Sequence, residues 1–345
     1  MPYGPETGWL DRDNPKSEKT MPILPRDFRT AARLVALLIG ACAGGAMATT
    51  PARAQAPQQS PVPYQREGAT VKLSEHVYVI PDFKVGMVPN VGIVVGTKGA
   101  LVIDPGMGWR NGEAVLREVQ KVSPGGDIYI VNTHFHPEHT TGEVAFPASA
   151  KVLRAAAQQQ DVDEMGMTWV GTFAGRSPEI AALLKHVTFR KPTEVFEREV
   201  MLDLGGVRVR IMRLGPGHTR GDTVMFVEED RVLFSGDLTM KDLFPAFAAP
   251  QSRSDTWLTS LDEMERLKPR IVVGAHYDIG DASDIEAYRG YLKALRARAA
   301  ELKKNGKSAD EAGKILVDEF KAKYPGWAQP ARVQAGVAAV YRELP

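Results

Sequence analysis

Apolar residues gather in short runs separated by Gly, Pro and Asp, at residues 77–80, 91–95, 100–103, 128–131, 207–212, 224–227, 232–234 and 271–273. Short runs bounded by turn-forming residues predict strands. Between them, residues 112–122 and 255–267 carry apolar positions at three- and four-residue spacing, which predicts helices, and three more helices are expected after Asp281. Hairpins interleaved with helices predict an α/β (α+β) fold in which helices cover the sheets. No internal repeat is clear, although a strand, a helix and a loop rich in ligand-type residues occur in each half.

The first stretch has a different character. From Met21 a basic flank (Arg26, Arg29, Arg33) leads into an apolar run over 34–48 and then Ala52-Arg53-Ala54, the order of a signal peptide with a small-x-small cleavage site. Residues 21–54 are therefore expected to direct export, with a periplasmic destination, and residues 1–20 read as an upstream or non-native segment. The run is short for a membrane span, so no stable span is expected in the mature chain. The single cysteine, Cys42, closes Leu38-Ile39-Gly40-Ala41-Cys42, a run that also looks like a lipoprotein cleavage box and leaves lipidation as the alternative. Cleavage after Ala54 would leave no cysteine, and residues 55–68 read as a Pro/Gln-rich linker. Lys+Arg 43 against Asp+Glu 42 offers no field that would gather nucleic acid, so a small-molecule substrate is expected.

The seven histidines stand at 76, 134, 136, 139, 186, 218 and 276, and five of them follow directly on a strand-like run. Residues 128–131 lead into His134, His136 and His139; 207–214 into Gly-Pro-Gly-His218; 271–273 into Gly-Ala-His276; and Asp237 closes 231–237 in the same way. Ligand-type side chains at strand ends are set on a rigid scaffold. Alternation in an extended segment places His134 and His136 on one side. Pro137 then suits the first helical position, with Glu138 and His139 in the first turn. Imidazole and carboxylate are ligands that zinc, iron or manganese accept. His76 and His186 lack such partners and read as ordinary structural or surface residues.

With these residues in place, the chain resembles the metallo-β-lactamase superfamily, whose motif is His-x-His-x-Asp-His followed by a lone His, a lone Asp and a final His. The corresponding positions are 134–139, His218, Asp237 and His276, and Val102-Ile-Asp104-Pro-Gly106 resembles the family's earlier aspartate motif. The resemblance implies an αββα sandwich over 69–280 with a two-metal site, two zinc ions being expected and iron or manganese remaining open. It implies that His134, His136 and His218 hold one metal, that His139 and His276 hold the other, that Asp237 bridges, and that Asp104 orients a ligand. Glu138 stands where the family has Asp. Three outcomes are open for it: ligation in a normal pair, a weakened second site, or a changed metal preference. Glu138 and Asp237 are the candidate catalytic residues.

The resemblance favours hydrolysis of an ester, thioester or lactone bond by metal-activated water. A β-lactam hydrolase is the alternative, and an iron-dependent redox enzyme or a non-catalytic metal-binding accessory protein are readings from other classes. Residues 155–191, with Met165, Met167, Trp169 and Phe173, read as a lid insertion or a packing helix. Residues 243–247 line an apolar pocket or pack beneath it, and 281–345 form a C-terminal helical extension that packs on the sandwich or mediates an oligomer.

Overall fold

The computed structural model describes residues 62–345, so the expected signal peptide, Cys42 and the first half of the linker lie outside the described residues. The first half runs β1 (Val71–Lys72), β2 (Val77–Ile80), β3 (Val91–Val95), β4 (Gly99–Ile103), α1 (Gly108–Val122), β5 (Asp127–Val131), α2 (Pro137–Thr140), β6 (Lys151–Ala155), α3 (Ala156–Asp161), α4 (Met167–Ala174), α5 (Pro178–Leu183) and β7 (Glu194–Phe196). The second half runs β8 (Glu199–Asp203), β9 (Arg208–Arg213), β10 (Thr223–Val227), β11 (Val232–Gly236), α6 (Ser254–Arg266), β12 (Ile271–Gly274), α7 (Ala282–Lys304), α8 (Ala309–Lys323) and α9 (Arg332–Glu343). Strands β1 to β7 form one sheet in sequential order, and β12-β11-β10-β9-β8 form the other.

The period-two alternation of each central strand divides its side chains between two cores. In β4, Leu101 and Ile103 point into the core between the sheets, while Ala100 and Val102 join Val115 and Val119 of α1. In β10, Met225 and Val227 face the inter-sheet core, while Val224 and Phe226 face Trp257 of α6 and the C-terminal helices. Burial on both faces explains why these strands read as continuous apolar runs. The layers are thus helix, sheet, sheet and helix, as the resemblance implies. The tail helices close the outer core, with Tyr291 and Leu295 of α7, Leu316 of α8 and Val337 of α9 inside it. Capping boxes start α7 (Asp281 with Asp284) and α8 (Ser308 with Glu311).

Strands β6, β7 and β8 escape the apolar-run pattern. Strand β6 reads Lys-Val-Leu-Arg-Ala, and its Arg154 is wholly buried. Arg154 Nη2 donates to both carboxylate oxygens of buried Glu143, at 2.7 and 2.9 Å, and Nη1 donates to Gln159 Oε1 and to the Arg190 carbonyl. A guanidinium without these partners would be a bare charge in the interior, so Arg154 and Glu143 stand or fall together. Arg154→Met is expected to destabilise the fold by about 3–5 kcal/mol. Pairing it with Glu143→Leu recovers much of that loss, which urea unfolding monitored by circular dichroism measures.

Candidate metal centre

The ligand-type residues converge where loops leave the ends of both sheets. After β5, the backbone stays extended through His136 (ψ 148°) and turns at Pro137 into α2, so His134 and His136 face one another as the alternation requires. His134 Nε2 and His218 Nε2 lie 2.9 and 3.2 Å from His136 Nδ1. Ligands bound tetrahedrally at the usual zinc–nitrogen length stand about 3.3 Å apart, so this triangle has the dimensions of a metal site. His134, His139 and Asp237 form a second group, and Glu138, His139 and His276 a third, each with its ligand atoms within 4.8 Å of one another. All six residues of the expected set, and Glu138 with them, are buried.

The outward ring nitrogens explain the orientation. His134 Nδ1 lies 3.1 Å from Thr133 Oγ1, His139 Nδ1 3.0 Å from Asp104 Oδ2, His218 Nδ1 2.5 Å from the Ala246 carbonyl and His276 Nδ1 2.8 Å from the Val88 carbonyl. Carbonyl and carboxylate acceptors fix the proton on Nδ1 of His139, His218 and His276, leaving each Nε2 lone pair aimed inward. In the same cleft, Glu138 Oε2, His139 Nε2 and Asp237 Oδ1 are buried without a hydrogen-bond partner. Acceptors facing acceptors in a desolvated cleft are costly unless a cation lies between them. The donor set therefore fits a metal pair, through a chemistry visible in the orphaned atoms themselves.

Burial and the neighbouring imidazoles push His134 and His136 well below the ordinary imidazole range, which keeps their lone pairs available. Burial also raises Glu138. For Asp237, burial acts upward, but the imidazoles of His276, His218 and His139 prevail and keep it ionised. His139 is desolvated too, yet the Asp104 carboxylate lifts it to about 9, so with no cation bound its Nε2 carries a proton that a metal would displace.

Asp104 occupies the place the motif implies. Its Oδ1 accepts from the Thr133 backbone N–H at 2.7 Å and its Oδ2 from Thr133 Oγ1 at 2.8 Å, so one carboxylate holds both His139 and the start of the His134 loop. Its φ of +56° is left-handed, a conformation a non-glycine residue keeps only where its surroundings enforce it. Gly236, with φ +58°, allows the Asp237 turn to meet that loop: a Cβ there would lie 2.6 Å from Thr133 Cβ.

Several supporting residues escaped the sequence reading because they act through backbone contacts made only in the fold. Asp222 accepts from the N–H groups of Gly217 and Thr219 and shapes the loop carrying His218; its place after Arg220-Gly221 was the available turn signal. Asp82 and Asn90, in the β2–β3 loop, grip the segment after β12. Asn90 Nδ2 donates to the Gly274 and Tyr277 carbonyls, and Tyr277 N–H donates to Asp82 Oδ2. His76 instead pairs with Asp230 at 2.8 Å, and His186 is exposed, as expected of residues outside the site.

Residues 85–276 match the metallo-beta-lactamase superfamily, and the chain belongs to that superfamily. A linear primary-alkylsulfatase from Pseudomonas sp. (strain ATCC 19151) is 25% identical over 214 residues, 53% of this chain and 40% of that protein. The acyl-coenzyme A thioesterase MBLAC2 of Gallus gallus is 28% identical over 158 residues, 43% of this chain and 57% of that protein. The chain thus spans about half the length of these relatives. The solved structure of the stereoselective inverting sec-alkylsulfatase Pisa1 from Pseudomonas sp. superposes with a TM-score of 0.61 at 15% identity, over 80% of this chain and 50% of that one, a likeness of fold.

Asp104→Asn keeps the shape of the side chain but removes the charge that holds His139. It is expected to weaken metal binding about 10–100-fold, as read by competition with a chromogenic chelator.

Proposed function

We propose that the chain is a metal-dependent hydrolase of an ester-type bond, an ester, thioester or lactone. The observation that carries this reading is the convergence of buried imidazole nitrogens and carboxylate oxygens, His139 Nε2, Glu138 Oε2 and Asp237 Oδ1 without a partner among them, on one cleft open to a pocket lined by His136, Glu138, His218, Asp237 and His276. His134, His136 and His218 would hold one metal; His139, His276 and Glu138 the other, with Asp237 between. Such a metal pair, when bound, lowers the pKa of water and polarises the bond under attack. Asp104, Asp222 and the Ala246 and Val88 carbonyls keep the imidazoles turned inward. That Glu138 Oε2 is buried and without a partner supports a role for Glu138 in taking and returning a proton at the reacting centre, in addition to ligating.

Two curated relatives named for cleaving a sulfate ester and a thioester support the ester-type class over a β-lactam ring. Zinc is proposed as the metal because imidazole and carboxylate suit it. Export is proposed from the residue pattern over 21–54.

Trp169 and Phe173, from the segment read as a lid or packing element, form a wall of the pocket, and the Trp169 ring lies 4.3 Å from that of His136. Of residues 243–247, Leu243 and Ala246 line it, whereas Phe244 and Phe247 pack beneath, Phe247 with its ring 5.0 Å from that of Trp257. These apolar surfaces favour a substrate with an apolar portion.

Purified protein is expected to contain two metal ions per chain by elemental analysis and to turn over esters or thioesters in preference to β-lactams. Zinc in the protein purified without added metal supports the zinc assignment, and iron redirects it to redox chemistry. His134→Ala should lose at least about a thousandfold in kcat/KM, a loss of about 4 kcal/mol; retained turnover would exclude the reading. Glu138→Asp tests the glutamate: tighter binding of the second metal with unchanged substrate ranking assigns it to metal tuning. Trp169→Ala should shift the ranking of acyl chain lengths, while Phe247→Ala lowers stability by about 3–5 kcal/mol and leaves the ranking in place.

A further inference from the structure

The pocket over the ligand set is a cavity of about 230 Å³ whose lining is chemically divided. Met87, Trp169, Phe173 and Leu243 supply apolar surface, and three cationic side chains, Lys84, Arg176 and Arg332, border it. Lys84 is committed to Asp278 by a 2.8 Å ion pair. The arginines differ. Arg176 lays its guanidinium 3.9 Å from the centroid of the Phe173 ring and donates to Met87 Sδ. Arg332 donates one Nη1 bond to the Phe244 carbonyl at 3.1 Å. Neither has a carboxylate within ion-pair distance among the described residues.

Arg332 comes from the first turn of α9, far along the chain from the metal ligands, and the backbone brings it there deliberately. Ala328 N–H donates to the Asp242 carbonyl at 2.8 Å and Phe244 N–H to the Ala328 carbonyl at 3.2 Å, so the segment before α9 is stitched to the loop that follows Asp237. Gln329, which also lines the pocket, has φ +60°. A left-handed non-glycine residue beside a site is strain the surrounding structure enforces. The Arg332 charge bears on Asp237 and His276, and the Arg176 charge on His136 and Glu138, so the two guanidiniums attend different parts of the ligand set.

We propose that Arg332, assisted by Arg176, binds an oxyanion group on the substrate, while the apolar portion of the substrate lies on Trp169, Phe173 and Leu243. The proposal rests on the hydrolase reading and narrows its substrate class to anionic amphiphiles. Most of the Arg332 fork stays unused by the protein, and a guanidinium fork matches a carboxylate, phosphate or sulfate through paired N–H···O bonds. Arg332 is half-buried and Arg176 exposed, so desolvation gives Arg332 the larger share.

The test has a binding arm and a kinetic arm, both on the purified full chain. Hexanoate, hexylphosphonate and hexanesulfonate are titrated calorimetrically, with hexan-1-ol as the neutral control. At least one anion is expected to bind more tightly than the alcohol, and the anion that binds most tightly identifies the oxyanion. Arg332→Gln should weaken that anion at least tenfold, and Arg332→Lys by clearly less. In the kinetic arm, wild-type protein is expected to favour mono-p-nitrophenyl succinate over p-nitrophenyl butyrate in kcat/KM, mainly through KM, and Arg332→Gln should abolish the preference. No anion binding, binding of hexan-1-ol equal to that of every anion, or an Arg332→Gln protein that keeps both affinity and preference overturns the proposal. If wild-type protein cleaves neither ester, the hydrolase reading is at fault, and the calorimetric arm still decides the role of Arg332.

Discussion

Lone pairs aimed at lone pairs, inside a cleft that excludes water, are the constraint around which the molecule is arranged. The orphaned His139 nitrogen and the orphaned oxygens of Glu138 and Asp237 meet the imidazoles of His134, His136, His218 and His276 where the loops of both sheets end. Such an arrangement is unfavourable in a folded chain unless a cation relieves it, and it persists because rigid elements hold each donor. Carbonyls and carboxylates behind the rings, the left-handed Asp104 and the missing side chain at Gly236 all serve to keep the cluster from relaxing. The layers behind it exist to fix the positions from which those loops depart.

Much of this was legible in the sequence because burial on both faces writes itself as apolar runs. β2, β3, β4, β5, β9, β10, β11 and β12 coincide with those runs to within a residue or so, as do α1 and α6 in part and the three helices after Asp281. Strands β6, β7 and β8 did not announce themselves. Their residues include Arg154, Glu194, Glu199 and Asp203, whose charges are accommodated by a buried partner or by an edge position. Pattern reading assigns such segments to loops because it sees the charge and not what neutralises it.

The site shows the same division. The histidines, Asp237 and Asp104 were visible because local spacing and motif order carry them, and the structure brings them together. Glu138 joins them despite its extra methylene, since the short helix begun by Pro137 lets the longer side chain lie within reach of His139 and His276. Asp82, Asn90, Asp222 and Arg332 were not visible, because each acts on a segment distant in sequence or through backbone groups that no residue pattern encodes.

The grip of Asp82 and Asn90 on the segment after β12 joins the two halves of the sandwich at the site itself. His276 belongs to the second sheet, but the carbonyl that orients its ring and the groups that fasten its neighbours belong to the first. A slide of one sheet over the other would therefore be registered as a displaced ligand. Metal affinity at this site would double as a strain gauge for the sheet interface, so that a core substitution far from the cleft would change metal occupancy while leaving every ligand-type residue intact.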